Sequence, residues 1–353
     1  MSTSKAFENL DVSSLFKQVG LAFKFRANYL EEWDQVYQRL PFQPVSLLNS
    51  SIDYQLAYQQ GVGTWLDLSL VILSDNKGVA IWPLSLSNHD GTVSLSSQGR
   101  HIIPPAFIGN CPNKTRKRIV AACLDFVDQI AKLCGIDSVK SRSSFVYEQQ
   151  FDIWHLSAME RGAECEVRHG LYVDLSMNLE QIKSKIRKSY KPMINAGDRE
   201  WKVDFIKSPG NYKIWEEFRL LHLSVAGRAT RSKDSWSMQH EAIKNNEAFL
   251  ITLRDVSGRL VGGGFFQCSK DEGLYAVGAY DRNLFHKPLG HLVQFRAIEE
   301  LKRRNCQWYH VGERVYISDN PKPTDKEMSI SSFKQGFASH VFPVFIRNHA
   351  TIS

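Results

Sequence analysis

The chain has 353 residues, of which 43% are hydrophobic and 23% charged, as is usual for globular proteins that bury sizeable cores. Its length favours two domains over one, and no run approaches the roughly 20 apolar residues that a membrane span requires. The formal net charge of +7 suits an anionic partner such as a nucleotide, a phosphopantetheine carrier or tRNA, but a lysine-rich surface gives the same value and does not by itself indicate nucleic-acid binding.

The N-terminal residues and the cysteines both predict a cytoplasmic protein. The N-terminus has no basic segment followed by a long apolar run, so we expect no secretory signal and no membrane insertion. Six cysteines are scattered along the chain without a CxxC pair, and several lie within apolar patterns. This usage predicts buried thiols in a reducing compartment, with no disulfide scaffold and no metal site.

Apolar periodicity and turn residues predict the elements of the first half. In chain order they are a helix (33–40), two strands joined by a turn at 74–77 (65–73 and 78–86), a third strand (92–96) and a long amphipathic helix (114–133). Gly135, directly after the long helix, is expected to cap its C-terminus. The first half ends near Cys165.

The second half repeats the same theme of hairpin, further strand and long helix. Its predicted elements are a strand (171–175), a basic helix (176–196), a strand (201–206), a helix (211–225), a hairpin (248–253 and 260–267), a strand (274–280), a helix (290–304) and a strand (307–311). The repetition predicts a duplicated α/β fold with domains at 1–167 and 168–353, each a central mixed sheet flanked by helices.

The loop at 287–290 and the helix that follows it predict an anion site. A helix N-terminus presents free N–H groups and the positive end of its dipole, and Gly290 lets the backbone approach a phosphate closely. A pyrophosphate or a nucleotide could therefore bind to Lys287, Leu289, Gly290 and His291. An ordinary turn between loop and helix explains the same residues, so the order of elements around the loop has to decide.

That order, together with three motifs, resembles the FemAB-like branch of the Gcn5-related N-acyltransferase (GNAT) superfamily. The motifs are a basic segment at 185–195, the sequence GRATR at 227–231 and the sequence SFKQGF at 332–337. The resemblance implies tandem GNAT folds with the donor's pyrophosphate on the loop and helix at Gly290. The family's donor loop usually carries two glycines, whereas Gly290 stands alone here.

The resemblance and the element order nominate catalytic residues. Lys334 matches a lysine that the family uses to stabilise charge. Glu313 follows a strand and is placed at the carboxyl edge of the sheet, where it could act as a base or pair with Arg314. His286 flanks the donor loop and completes the catalytic candidates.

A second set is predicted to bind the acceptor. Arg228 and Arg231 lie three residues apart on a loop, and guanidinium groups offer a fork of donors to phosphate or carboxylate. Trp236 and Gln239 follow them, and Tyr280, at the end of the strand before the donor loop, is placed in the same set.

These residues predict an N-acyltransferase or aminoacyltransferase. No Ser-His-Asp or Cys-His grouping is visible, which favours direct transfer in a ternary complex over a covalent intermediate. The resemblance implies acyl-coenzyme A or aminoacyl-tRNA as donor, and an amine on a cell-envelope precursor as acceptor: a nucleotide-linked amino sugar, a surface polysaccharide or a peptidoglycan peptide. The absence of a long coiled-coil insertion favours the thioester, with tRNA entering only as a donor. The alternative is a catalytically degenerate GNAT-like module that binds a glycan or a protein partner.

Overall fold

A computed structural model describes residues 11–59, 61, 63–143 and 151–350. The chain divides into two compact units, the first formed by residues 1–167 with 344–353 and the second by residues 168–343. None of the helices in these ranges is long and apolar enough to cross a membrane.

The first unit packs five described helices around short strands. The helices are α1 (Val12–Gln18), α2 (Leu30–Tyr37), α3 (Asn49–Gln59), α4 (Asn113–Cys134) and α5 (Ile153–Glu160). The strands are β1 (Ala22–Phe25), β2 (Thr64–Asp67), β3 (Leu70–Ser74), β4 (Lys77–Trp82), β5 (Ser85–His89), β6 (Thr92–Ser96), β7 (Ala106–Phe107) and β8 (Ser138–Arg142). They form a sheet of order β1-β3-β4-β7 and a sheet of order β2-β5-β6, and β8 pairs with the end of the last strand, β15 (His340–Ala350).

The predicted hairpin of the first unit is correct at its turn but too simple in its strands. Asp75 and Asn76 both have positive φ, as the tight turns of hairpins require. However, β2 and β3 are separate strands of different sheets, and so are β4 and β5. Pro83 lies between β4 and β5, where it has no N–H to donate to a ladder. Each apolar run therefore changes sheet partway along its length.

Aromatic packing and the long helix build the core of the first unit. Phe16 stacks on Phe126 of α4 with ring centroids 3.8 Å apart, and the fully buried Trp82 and Trp154 lie 6.1 Å from each other. α4 buries one apolar face and ends at Gly135, whose φ of 65° confirms the predicted cap.

The second unit contains six helices and a twisted mixed sheet. The helices are α6 (Leu179–Lys185), α7 (Tyr190–Glu200), α8 (Tyr212–Ala226), α9 (Lys233–Lys244), α10 (Leu289–Arg303) and α11 (Asp325–Gln335). The strands are β9 (Glu164–Asp174), which begins before the unit boundary, β10 (Lys202–Ile206), β11 (Ala248–Arg254), β12 (Leu260–Cys268), β13 (Glu272–Tyr280) and β14 (Trp308–Arg314). Their order is β10-β11-β12-β13-β14-β9, and only β13 and β14 are parallel.

The basic helix predicted over 176–196 is wrong as a single helix. α6 ends at Lys185, and buried Ile186 adopts an extended conformation with ψ of 138°. The next residue, Arg187, donates its backbone N–H to the carbonyl of Gly336 and its guanidinium to the carbonyl of Ser332. This docking against the segment after α11 breaks the helix, which the local periodicity could not indicate.

Three successive glycines let helices pack closely on both faces of β12. A Cβ at Gly264 would lie 2.8 Å from Val293 of α10, and one at Gly263 would lie 3.2 Å from the ring of Phe218 in α8. One apolar core therefore forms between the sheet and α7 with α10, and another between the sheet and α8 with α9. This two-faced packing confirms the predicted α/β class.

Candidate functional site

The parallel strands β13 and β14 part before they end. They pair only from Glu272 to Leu274 on one side and from Trp308 to His310 on the other. Beyond these residues β13 stays paired with β12 and β14 with β9, all within the continuously described range 168–343. We call this parting the fork. The strand edges that face it have no strand partner there, so their backbone groups can bind an extended ligand.

A bulge in β13 controls which side chains approach the fork. Phe265 pairs with Val277 and Phe266 pairs with Tyr275, so exposed Ala276 is an extra residue. Residues five apart in a regular strand face opposite sides. The extra residue puts Tyr275 and Tyr280 on the same face, against the α10 core, while Val277 packs into the core on the other face.

Lys334 of α11 reaches both strands at the fork. Its ammonium nitrogen lies 5.5 Å from the ring centroid of Tyr275 on β13, and it would lie 2.7 Å from a Cβ at Gly312 on β14. Within the described part of the chain, Lys334 has no carboxylate within 4.0 Å and makes no side-chain hydrogen bond. Burial lowers the pKa of Lys334, and the nearby charge of Glu313 only partly opposes this. In the described structure, the fork thus holds a half-buried ammonium group whose N–H donors are available to a ligand.

The other two catalytic candidates differ in position. Glu313 lies next to Gly312 on β14 and interacts electrostatically with Lys334. Its neighbour Arg314 donates instead to Ser331 at 2.7 Å and to the carbonyl of Val315 at 2.9 Å. His286 is exposed on the loop before α10, and no contact joins it to Lys334 or Glu313 in the described structure. The fork therefore brings together Lys334 and Glu313 without His286.

The predicted donor-binding residues lie around the start of α10, but two are engaged elsewhere. The ammonium of Lys287 donates to Glu200 at 2.5 Å, and Leu289 is buried in the core. The ring centroids of His291 and Tyr190 lie 4.6 Å apart, and burial lowers the pKa of His291. The helix has no side-chain cap on its first N–H groups, so the backbone at Gly290 is the part of this set that a phosphate could use.

The start of α10 is close to the fork. A Cβ at Gly290 would lie 3.7 Å from the ring of Tyr280 and 3.1 Å from the ring of Phe333, the residue before Lys334. The helix N-terminus and the ammonium group therefore belong to one neighbourhood. A ligand with an anionic end and a carbonyl could contact both.

The predicted acceptor residues separate into two places. The guanidinium of Arg231 lies 4.9 Å from the ring centroid of Trp236 and donates to Gln239 at 3.2 Å. Arg228 is exposed on the same loop. Trp236 and Gln239 are themselves nearly buried, because the segment after the loop is the helix α9, which was not predicted. Tyr280 lies instead at the fork, 3.3 Å from Tyr275 hydroxyl to hydroxyl.

Several residues at the fork were missed from the sequence. They are Tyr275, Gly312, Gln294 and Tyr309. Glycine inside a strand often marks a bulge or a close approach, so Gly278 and Gly312 gave a usable signal. Gln294 gave none, because a polar residue in an amphipathic helix is expected to face solvent.

The described residues contain no group of three or more histidines, cysteines, aspartates or glutamates placed to hold a metal ion. Burial raises the pKa of the Cys123, Cys268 and Cys306 thiols, to about 12 for Cys306. These three cysteines are buried, as predicted, whereas Cys165 is exposed.

No family model matches the sequence, and no curated protein matches it. Solved structures do match over most of the chain. FemX has a TM-score of 0.66 at 10% identity, covering 90% of this chain and 95% of its own. L-PGS from Bacillus licheniformis has a TM-score of 0.57 at 10% identity, covering 92% of both chains. A tandem GNAT protein from the clavulanic acid biosynthesis pathway has a TM-score of 0.51 at 14% identity, covering 94% of this chain and 99% of its own.

At such identities structural similarity establishes the fold and leaves the activity open. The chain shares the mixed α/β fold of FemX and of the tandem GNAT protein, which confirms the predicted tandem GNAT-like fold.

Proposed function

We propose that this protein is an N-acyltransferase that transfers an acyl group from a thioester to an amine at the fork of its second unit. The observation that carries the proposal is Lys334, a half-buried cation that has no ion-pair partner among the described residues and is held where β13 and β14 part. Acyl transfer develops negative charge on the carbonyl oxygen of the tetrahedral intermediate. A preorganised cation in a poorly solvated site stabilises that charge strongly.

Two features support a coenzyme A thioester as the donor. The unpaired edge of β13 can hydrogen-bond to an extended pantetheine arm, and the uncapped start of α10 can bind the phosphates. The arm would then place the thioester carbonyl beside Lys334. Aminoacyl-tRNA is the alternative donor, and the FemX-like fold keeps it in the test.

The reaction needs one further group to accept a proton. The amine nitrogen attacks the thioester carbon, the C–S bond breaks, and the sulfur leaves as a thiolate with the electron pair of that bond. Glu313 lies beside Lys334 at the fork and is the group we assign to receive the proton from the attacking amine. The thiolate takes up a proton, and the free thiol is then the product that an assay can follow.

The loop between α8 and α9 is suited to an anionic acceptor. Arg231 is held in place by Gln239 and by the ring of Trp236, so little side-chain entropy remains to be lost on binding. Together with exposed Arg228 it offers two guanidinium groups to a phosphate or carboxylate. The FemAB-like relationship favours a cell-envelope precursor that carries both an amine and such an anion.

In the first unit, the loop before the long helix α4 is held by a side chain of that helix, unlike the described loop before α10 in the second unit. Arg116 of α4 donates to the carbonyls of Cys111 at 2.9 Å and of Ile108 and Gly109 at 3.1 Å each. This side chain fixes the loop from within, and the aromatic core of Trp82 and Trp154 fills the unit. We therefore assign the chemistry to the second unit.

Thermal-shift measurements followed by a transfer assay test the proposal. The protein is screened against coenzyme A thioesters, nucleotide-linked amino sugars and aminoacyl-tRNA, because a ligand that binds the native state raises the melting temperature. A thioester that binds is then mixed with each amine, and release of free thiol is followed. We expect amine-dependent release that Lys334→Met slows by about two orders of magnitude or more without lowering the melting temperature.

A binding module is the second candidate. It is favoured by Lys287 and Leu289, which are engaged in structural contacts and unavailable to a donor. In that case ligands would bind without thiol release, and Lys334→Met would leave binding unchanged. That combination of results would contradict the transferase.

A further inference from the structure

Four polar side chains form a buried cluster beneath the fork. Tyr309 donates its hydroxyl to Oε1 of Gln294 at 2.5 Å, and both side chains are fully buried. The hydroxyls of Tyr275 and Tyr280 lie 3.3 Å apart, and Gln294 also interacts with Tyr275. We call these residues the tyrosine–glutamine cluster. It lies in the core between α10 and the sheet, where apolar side chains would be expected.

One buried donor of the cluster has no acceptor. Nε2 of Gln294 is buried and has no hydrogen-bond partner in the described structure. Its two hydrogens therefore lack an acceptor, while the Tyr275 hydroxyl interacts with both Tyr280 and Gln294. A donor left unsatisfied in a core is costly, and native proteins retain such groups where they serve a function.

The cluster opens into the fork through Tyr275. A Cβ at Gly278 would overlap the hydroxyl of Tyr275, and Gly278 is exposed on the part of β13 that has no strand partner on the fork side. The ammonium group of Lys334 lies above the ring of the same tyrosine. An acyl chain whose carbonyl oxygen contacts Lys334 would therefore pass close to the Tyr275 hydroxyl.

We propose that the tyrosine–glutamine cluster selects an acyl group that carries a hydrogen-bond acceptor, such as a hydroxyl or carbonyl, over a plain alkyl chain. This inference rests on the proposed function and specifies its donor. An oxygen on the acyl chain accepts from Tyr275 or Tyr280, and the donors behind them become satisfied. An α-ammonium group would instead add donors and positive charge beside Lys334, so the cluster disfavours aminoacyl donors.

Matched thioesters that differ by one hydroxyl test the inference without an acceptor. Dissociation constants are measured by calorimetry for propionyl- and lactoyl-coenzyme A, and for butyryl- and 3-hydroxybutyryl-coenzyme A. We expect at least one hydroxylated member to bind tenfold or more tightly than its alkyl partner, because the alkyl chain leaves the donors unpaired. Tyr275→Phe is expected to reduce that preference below threefold while both thioesters still bind.

A double variant separates selection from a structural role. Gln294→Leu combined with Tyr309→Phe removes the unpaired donor and its partner together, a change that is nearly neutral or stabilising when shape is kept. We expect an unchanged or raised melting temperature and a lost hydroxyl preference. A variant that keeps the preference, or that loses it only by unfolding, would overturn the role of the cluster.

The wild-type result distinguishes this inference from the proposed function. Equal affinities within both pairs, or tighter binding of the alkyl thioesters, would overturn the inference and leave a thioester transferase in place. Failure of all four thioesters to bind would overturn both.

Discussion

Lys334 is the side chain that we propose to stabilise the negative charge of the transition state at the fork. Lys334→Met keeps much of the packing of the stem but removes the charge, so we expect kcat to fall by about two orders of magnitude or more with substrate affinities nearly intact. Steady-state kinetics on the substrate pair from the transfer assay measure this. A raised KM at constant kcat would instead make Lys334 a binding residue.

The pH dependence of the rate provides the control for this prediction. Burial lowers the pKa of Lys334 below its usual 10.5, and the lysine carries its charge only below that lowered pKa. The rate is therefore expected to fall as pH rises through it. Lys334→Arg keeps the charge at high pH, so that variant should retain its activity where the wild type loses it.

Gly312 is the second residue on which the fork depends. Its φ of 142° disfavours a side chain, and a Cβ would lie 2.7 Å from Nζ and 3.0 Å from Cδ of Lys334. Gly312→Ala is expected to displace Lys334 and lower kcat at least tenfold, with a stability loss of about 1–3 kcal/mol from the strained backbone. In a Lys334→Met background the same substitution should have little further effect on kcat. Equal losses in both backgrounds would show that Gly312 acts independently of Lys334.

At the scale of elements, the start of α10 determines where an anion can bind. Gly290→Asp puts a negative charge at the uncapped N-terminus beside Phe333, while Gly290→Asn has nearly the same size without the charge. We expect the thioester dissociation constant to rise at least tenfold more in the aspartate variant, because the carboxylate competes with the phosphates for the N–H groups. Similar affinities in the two variants would place the phosphates elsewhere.

The loop between α8 and α9 carries a prediction for the acceptor. Arg231→Ala removes a guanidinium that Gln239 and Trp236 hold in place, so the KM for an anionic acceptor is expected to rise tenfold or more. The dissociation constant of the donor should change little, because this loop packs with the core on the other face of the sheet from Tyr280. Lys233→Ala, at the start of α9, is the matched control. A loss confined to donor binding would reassign Arg231 to the donor.

At the scale of the whole molecule, the two units are expected to respond to acid at different pH. In the first unit, burial and the charge of Arg347 lower the pKa of His349 to about 4 from 6.5. The unfolded chain then binds more protons below pH 6.5, so stability falls between pH 6.5 and about 4.

In the second unit burial raises the pKa of Glu300, but Arg303, Lys207 and Arg304 outweigh it and lower the pKa to about 2 from 4.5. The contribution of Glu300 to the free energy of unfolding is present above pH 4.5 and is lost as pH falls to about 2.

Denaturant unfolding at several pH values checks both contributions. Each shift corresponds to about 3 kcal/mol between its two limits. His349→Gln should flatten the loss between pH 6.5 and 4, and Glu300→Gln should flatten the loss between pH 4.5 and 2. If the free energy of unfolding of the wild type depends on pH in the same way as that of both variants across these ranges, the assignment of the two contributions to His349 and Glu300 is wrong.

The sequence by itself determined the local elements and the order that they follow. Helical periodicity and Gly135 predicted α4, the turn at Asp75 and Asn76 predicted a hairpin, and the motif around Lys334 predicted the fold and a charge-stabilising lysine. These features depend on residues close together in the chain, so patterns of apolar spacing and turn chemistry are sufficient to find them.

Only the tertiary structure decided how the site is assembled. The bulge at Ala276 puts Tyr275 and Tyr280 on one face, the docking of Arg187 on Gly336 divides the basic helix, and α9 buries Trp236 and Gln239. Each of these depends on the register of strands or on contacts between segments far apart in the chain. Such pairings leave no period in the sequence, because the partner of each residue is set by the packing of whole elements.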